Sequence, residues 1–260
     1  MVVCYIVSVQ NRQYYTKKEM EYNMSAELRN EKIKGIILKF LAISISLYGV
    51  VVGYKNLQTF TFFTTLSNIW IEIILLVSLI FDVMYLKSNG SKNYKNNVFY
   101  IIKFMLTISI TVTFLVYMFL LAPNSEYGFI GAYTHNYYSS YCVHFSGPIL
   151  AILDFIIFDY EYESTNIHAL YATIPSLIYV LFVTILGYSG MRWYDTMYAP
   201  YNFLNFGAKC GWFGYDSHAD GSETLGIGVF YMIFVLVLIF IAIGMLFLLI
   251  KDRRRASKLH

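Results

Sequence analysis

The chain has 260 residues, of which 58% are hydrophobic and only 13% are charged. Soluble domains carry about 25% charged residues, so the composition excludes an ordinary soluble domain and indicates an integral membrane protein. The net charge of +3 lies in segments that flank apolar runs, without the concentrated basic stripe that nucleic-acid binding requires.

Apolar runs long enough to cross a bilayer recur along the chain. A hydrocarbon core about 30 Å thick requires about 20 helical residues. The sequence predicts six spanning helices, over residues 35–54, 60–86, 98–121, 137–158, 168–188 and 225–250. The expected fold is therefore an all-α, polytopic membrane protein. We expect a poorly ordered N-terminal arm over residues 1–34, one membrane domain over 35–250 and a basic tail over 251–260.

Positive charge predicts the orientation, because Lys and Arg are retained on the cytoplasmic side. Lys and Arg are frequent before the first helix, in the 87–97 loop and in the tail, whereas residues 122–136 contain none. Both termini are thus expected to be cytoplasmic, and the apolar segment 189–224 to pack on the outer mouth.

High usage of Asn, Ile, Lys and Tyr is typical of an AT-rich bacterial genome, so the expected location is a bacterial plasma membrane. Met20 and Met24 lie before the first predicted helix and are expected alternatives to Met1 as the translation start.

Polar residues interrupt the second and fourth predicted helices at similar depths. On the second, Thr64, Thr65 and Asn68 form one polar strip at helical spacing, with Ser67 at its border. On the fourth, His144 lies within an apolar run. Both helices enter from the outer side in the predicted topology, so the two groups can face each other. An intramembrane His is a functional candidate by default.

A hydroxyl beside an imidazole supports nucleophilic acyl transfer, because the imidazole removes the hydroxyl proton. Thr64 is the favoured nucleophile, Thr65 is the alternative, and His144 is the base. Asn68 would orient the hydroxyl or donate to the oxyanion, with Ser67 beside it. The chain predicts no metal and no cofactor, since one intramembrane His without a carboxylate at its depth offers too few ligands.

Three segments carry motifs, which are FFTTLSN (62–68), HFSGPILAILDFIIF (144–158) and YAPYNFLN (198–205). In their order and spacing they resemble motifs of the androgen-induced and androgen-dependent family of multipass threonine hydrolases, and most of all its bacterial relatives. The resemblance implies a membrane hydrolase of fatty-acyl esters, with a catalytic Thr on the second helix and a catalytic His, His144, on the fourth. The bacterial spacing places the threonine at Thr64, and the animal spacing places it at Thr65.

Two other classes of function fit the same residues. In a small-solute or proton-coupled transporter or channel, the polar strips would line a conduit and His144 would relay protons. In a non-catalytic scaffold, the hydroxyls would only hold helices together. The sequence lacks the inverted repeat and the paired broken helices that point to a transport site. The leading hypothesis is therefore a threonine-nucleophile hydrolase or acyl transferase. Its partners are the bilayer and a membrane lipid or fatty-acyl ester, and not nucleic acid.

Overall fold

The computed structural model describes residues 2–89 and 93–259, with side chains over 26–89 and 93–257. Its regular elements are helical in the described part, apart from two isolated β-bridges. Six helices are long and apolar enough to cross a membrane: α1, Ala26–Gly53; α2, Phe63–Lys87; α3, Asn97–Asn124; α4, Ser139–Phe158; α5, His168–Tyr188; and α6, Val229–Ser257. The prediction of an all-helical protein with six spans is confirmed.

Two of these helices continue beyond the predicted apolar spans. The helix that contains α1 begins at Val2, and the one that contains α6 ends at Leu259. Hydropathy marks only the apolar part of a helix, because charged residues outside the bilayer remain helical without a penalty. The basic tail is therefore helical as far as Leu259. The poorly ordered arm over residues 1–34 stays a prediction, because the side chains of residues 1–25 lie outside the described part.

The main apolar cluster among the described residues contains Phe104, Ile108 and Phe155, all completely buried, and smaller clusters lie beside the 189–228 segment and the α3–α4 connection. Large apolar side chains also cover the outer surface of the bundle, for example Leu76 and Ile80 on α2, which are 49% and 46% exposed. A soluble protein would hide such side chains from water, whereas a lipid environment solvates them. The distribution of apolar surface therefore agrees with a membrane location.

The connections between helices divide between the two ends of the bundle. The α1–α2, α3–α4 and α5–α6 connections lie at one end, which we call the site end. The α2–α3 and α4–α5 connections lie at the opposite end with both termini, and we call it the termini end. The longest connection, residues 189–228, is folded against the site end, since its Trp193 is only 1% exposed.

Buried charges join four helices at the termini end. Lys39 on α1 lies 3.1 Å from Asp82 on α2 and 2.7 Å from Asp154 on α4. Lys103 on α3 lies 2.5 Å from the other oxygen of Asp154 and also pairs with Asp159. All these side chains are buried. Each spanning helix from α1 to α4 thus contributes a charge to the same region.

A further lysine, Lys95, lies 2.7 Å from Asp82 and balances the charge. Among the described residues, the termini-end ion network has three buried cations and three buried anions: Lys39, Lys95, Lys103, Asp82, Asp154 and Asp159. Lys32 and Glu161 add one charge of each sign at its margin, since Lys32 lies 4.0 Å from Asp82 and 3.6 Å from Glu161. A single buried ion costs several kcal/mol in effective desolvation. The network stays buried because its positive and negative charges are equal in number and lie in contact.

The network makes a prediction about stability. Asp154→Asn removes the negative charge that lies between Lys39 and Lys103, and leaves both ammonium groups undercompensated. We expect the free energy of unfolding in detergent micelles to fall by about 3–5 kcal/mol, the range for a buried pair that loses one partner. Glu163→Gln is the matched control, because that side chain is 76% exposed at the same end. An equal loss in both variants would contradict the network's structural role.

Candidate active site

A cavity of about 1080 Å³ opens at the site end, between the helices and the 189–228 segment. Its volume is that of a small-molecule site. Its wall includes hydroxyls, four phenols and two imidazoles, among them Thr64, Thr65, Tyr117, His135, His144 and Tyr201. The two candidate nucleophiles and the candidate base therefore line one cavity, although they lie on different helices.

Thr64 lies in the first turn of α2, where backbone N–H groups have no acceptor within the helix. Its N–H donates instead to the Tyr201 hydroxyl at 3.4 Å. Burial raises the pKa of the Tyr201 phenol, although hydrogen bonds from the Thr64 side chain and backbone act in the opposite direction. Tyr201 therefore keeps its proton at neutral pH and can donate it to a bound molecule beside Thr64.

His144 lies in a π-helical turn, Cys142–Ser146, that interrupts α4. Its ring stacks on Tyr117, with ring centroids 3.6 Å apart and an interplanar angle of 11°. Tyr117 begins a second π-helical turn, Tyr117–Leu121. Such turns occur often at functional sites. The His144 Nδ1 is buried without a hydrogen-bond partner among the described residues, so Nε2 is the ring nitrogen that can reach the cavity.

Tyr117 is itself held in place by two hydrogen bonds. Its hydroxyl donates to the Ala132 carbonyl at 2.7 Å and lies 2.6 Å from Ser140 Oγ. Because the phenol cannot turn without breaking these bonds, the ring that supports His144 is fixed. No sequence pattern points to Tyr117, since its role depends on a ring from another helix.

Asn68 joins α2 to α4 directly behind the cavity wall. Its Nδ2 donates to the Thr64 carbonyl at 2.8 Å and to the Val143 carbonyl at 3.0 Å. Both amide hydrogens are therefore used by the main chain, which favours the orienting role over donation to an oxyanion. Ser67 is buried against α3, where its Oγ lies 2.9 Å from Thr113 Oγ1.

A second, smaller cavity of about 60 Å³ adjoins the first and continues between α2, α3, α5 and α6. Its wall is largely apolar and includes Val116, Leu236 and Phe240. Thr64 and Tyr201 line both cavities. Thr64 thus lies where a polar cavity meets an apolar slot, whereas Thr65 lines the polar cavity.

The two threonine hydroxyls and His144 share the cavity without a direct contact. Among the described residues, no hydrogen bond joins Thr64 or Thr65 to the imidazole. Catalytic hydrogen bonds are often long in the absence of substrate and shorten when it binds.

No protein-family model matches the chain, and neither a curated protein nor a solved structure matches it. The family resemblance therefore rests on the three sequence motifs. The fold adds one observation to them, because each motif contributes a residue to the wall of the large cavity. These residues are Thr64, His144 and Tyr201.

One anchor holds the 189–228 segment over this cavity and can be tested. The buried Trp193 donates its Nε1 hydrogen to Thr61 Oγ1 at 2.9 Å. Thr61→Val leaves that hydrogen without its acceptor, which costs about 1–3 kcal/mol. We expect limited proteolysis in micelles to cut the segment faster in this variant. Thr134→Val removes an exposed threonine hydroxyl and is the control. Equal proteolysis rates would contradict the anchor.

Proposed function

We propose that this chain is an intramembrane hydrolase or acyl transferase of long-chain fatty-acyl esters or lipids. The observation that carries the proposal is the position of Thr64, at the junction of the polar cavity that contains His144 and the apolar slot. An ester with a polar head and an acyl chain would place its carbonyl group at this junction, with only the first methylenes of the chain inside the slot of about 60 Å³. The family resemblance of the three motifs supports the same reaction.

In the proposed reaction, the Thr64 hydroxyl oxygen attacks the ester carbonyl carbon while His144 Nε2 takes the hydroxyl proton. The bond between the carbonyl carbon and the alcohol oxygen then breaks. The alcohol oxygen takes the proton from the imidazolium, and the acyl group remains on Thr64. Water then attacks the acyl-threonine while His144 takes a proton from it. The bond between the carbonyl carbon and the Thr64 oxygen breaks, the imidazolium returns the proton to that oxygen, and the fatty acid is released. An alcohol in place of water would complete an acyl transfer.

The charge that develops on the carbonyl oxygen needs hydrogen-bond donors. The first-turn N–H of Thr65 is adjacent to the proposed nucleophile and is not used by another hydrogen bond among the described residues. The Tyr201 hydroxyl, which lies 3.4 Å from the Thr64 nitrogen, is a second donor. The positive end of the α2 dipole adds to both. In this assignment Thr65 contributes its backbone, and Thr64 contributes its side chain.

The proposal includes an orientation in a bacterial plasma membrane. The helix extension at the termini end carries Lys251, Arg253, Arg254 and Arg255. Cationic residues of this kind are retained in the cytoplasm. The termini end is therefore assigned to the cytoplasm, and the site end with its cavity is assigned to the outer side. A substrate would enter from the outer leaflet.

Cysteine accessibility tests this orientation. Asn89 is exposed at the termini end and Ser217 is exposed at the site end. Single cysteines at these positions, in a background without the native cysteines, are treated with an impermeant maleimide in intact cells. We expect Ser217→Cys to react and Asn89→Cys to react only after permeabilisation. The reverse pattern would invert the orientation.

The catalytic assignment is tested on purified protein with a panel of long-chain acyl esters. His144→Ala and Thr64→Ala should each lower the hydrolysis rate by about 10²–10⁴-fold, the contribution of a positioned general base. The double variant of His144→Ala and Thr64→Ala should lower the hydrolysis rate little further, because coupled catalytic residues act as one unit. Thr65→Ala should retain most of the activity. Thr196→Ala, on another wall of the same cavity, is the control.

Two outcomes would count against the assignment. Activity that is lost in Thr65→Ala and kept in Thr64→Ala would transfer the nucleophile to Thr65. Equal hydrolysis by the wild type and by a variant that lacks His144, Thr64 and Thr65 would contradict the enzyme hypothesis. The conduit and scaffold hypotheses would then remain.

A further inference from the structure

Behind the cavity wall, a carboxyl group, a hydroxyl and an amide form a chain across three helices. The Ser46 hydroxyl on α1 lies 2.6 Å from Glu72 Oε1 and 2.8 Å from Asn68 Oδ1, both on α2. The Asn68 amide then reaches the main chain of both Thr64 and Val143. Glu72 is thus connected to the backbone of the residue that precedes His144 and to that of the proposed nucleophile.

The number of hydrogens decides which group donates at each link. The Asn68 amide nitrogen faces two carbonyl oxygens, so its Oδ1 must face Ser46 and accept a hydrogen. Ser46 Oγ lies within donor distance of both Asn68 Oδ1 and Glu72 Oε1, and its single hydroxyl hydrogen can serve only one of them. Both contacts are hydrogen bonds at the same time only when the Ser46 hydroxyl donates to Oδ1 and the Glu72 carboxyl group donates a hydrogen to the Ser46 oxygen. An ionised carboxylate has none, so the chain requires a protonated Glu72.

The depth of Glu72 leads to the same conclusion independently. It lies nine residues after Phe63, the first residue of α2, which places it about 14 Å along the helix at 1.5 Å per residue. This is near the middle of a hydrocarbon core about 30 Å thick, where an ionised carboxylate is expensive. In the described part of the chain, no lysine or arginine forms an ion pair with Glu72. A neutral carboxylic acid avoids the cost.

We propose that protonated Glu72 is a positioning residue, which acts through Ser46 to hold Asn68 and thereby fixes the backbone of Thr64 relative to that of His144. The inference rests on the proposed function, because the distance it controls matters only if these two residues react together. Glu72 lines neither cavity that contains Thr64, so it does not touch the substrate. This chain of hydrogen bonds reaches the π-helical turn at His144 directly, because the Val143 carbonyl in that turn accepts a hydrogen from Asn68.

The first test measures ester hydrolysis. Glu72→Leu and Ser46→Ala each break the chain, and each should lower kcat by about 10²-fold, the cost of a small misplacement of reacting groups. KM should change little, because the cavity wall is intact. Glu72→Gln keeps a hydrogen for Ser46 and should restore most of the activity. The double variant of Glu72→Leu and Ser46→Ala should have a kcat no lower than that of either single variant. Ser78→Ala, at another buried serine of a spanning helix, is the control and should keep wild-type activity.

The second test does not depend on activity. Infrared spectroscopy of the full chain in lipid should contain the carbonyl band of a protonated carboxylic acid, and Glu72→Gln should remove it. Absence of the band in the wild type, or a band that survives in Glu72→Gln, would overturn the protonated bridge.

The kinetic outcomes separate the two proposals. Wild-type activity in Glu72→Leu, together with inactivity of His144→Ala, would overturn the positioning role and leave the proposed function standing. A Glu72→Gln variant as inactive as Glu72→Leu would also overturn it. Wild-type protein without hydrolysis would overturn the proposed function itself.

Discussion

A polar group inside the hydrocarbon core must find its partner within the protein, because lipid offers none, and this constraint determines both ends of the bundle. At the termini end it is met by the termini-end ion network, in which Asp154 pairs with Lys39 and Lys103. At the site end it is met by Asn68, whose two amide hydrogens go to carbonyl groups of α2 and α4 and whose Oδ1 lies 2.8 Å from Ser46 Oγ on α1. The first arrangement fills one end of the bundle with ion pairs. The second ties three helices together beside an open cavity.

These two arrangements support the proposed enzyme over a conduit. A conduit needs a polar path from one side of the membrane to the other. In the described part of the chain, the large cavity lies at the site end, and the opposite end is occupied by buried ion pairs. The cavity instead continues sideways into an apolar slot between helices. A polar cavity joined to an apolar slot suits an amphipathic ester that is held with its ester bond near Thr64.

The sequence predicted what depends on local pattern and could not predict what depends on partners. The six spans follow from hydropathy, and the shared location of Thr64 and His144 follows from helical spacing and alternating helix direction. Lys39 and Lys103 lie inside predicted spans, but their burial depends on aspartates of other helices. The π-helical turns at His144 and Tyr117 have no known local signature, and the chain from Glu72 to Asn68 passes through Ser46 on α1.

In the proposed reaction, Thr64 is a nucleophile activated by His144. This activation can be measured by treating the protein in lipid with a long-chain alkyl fluorophosphonate and locating the adduct by tandem mass spectrometry. We expect one adduct, on the Thr64 hydroxyl, that is absent from His144→Ala. An adduct on Thr65, an adduct that forms equally in His144→Ala, or wild-type protein without any adduct would contradict it.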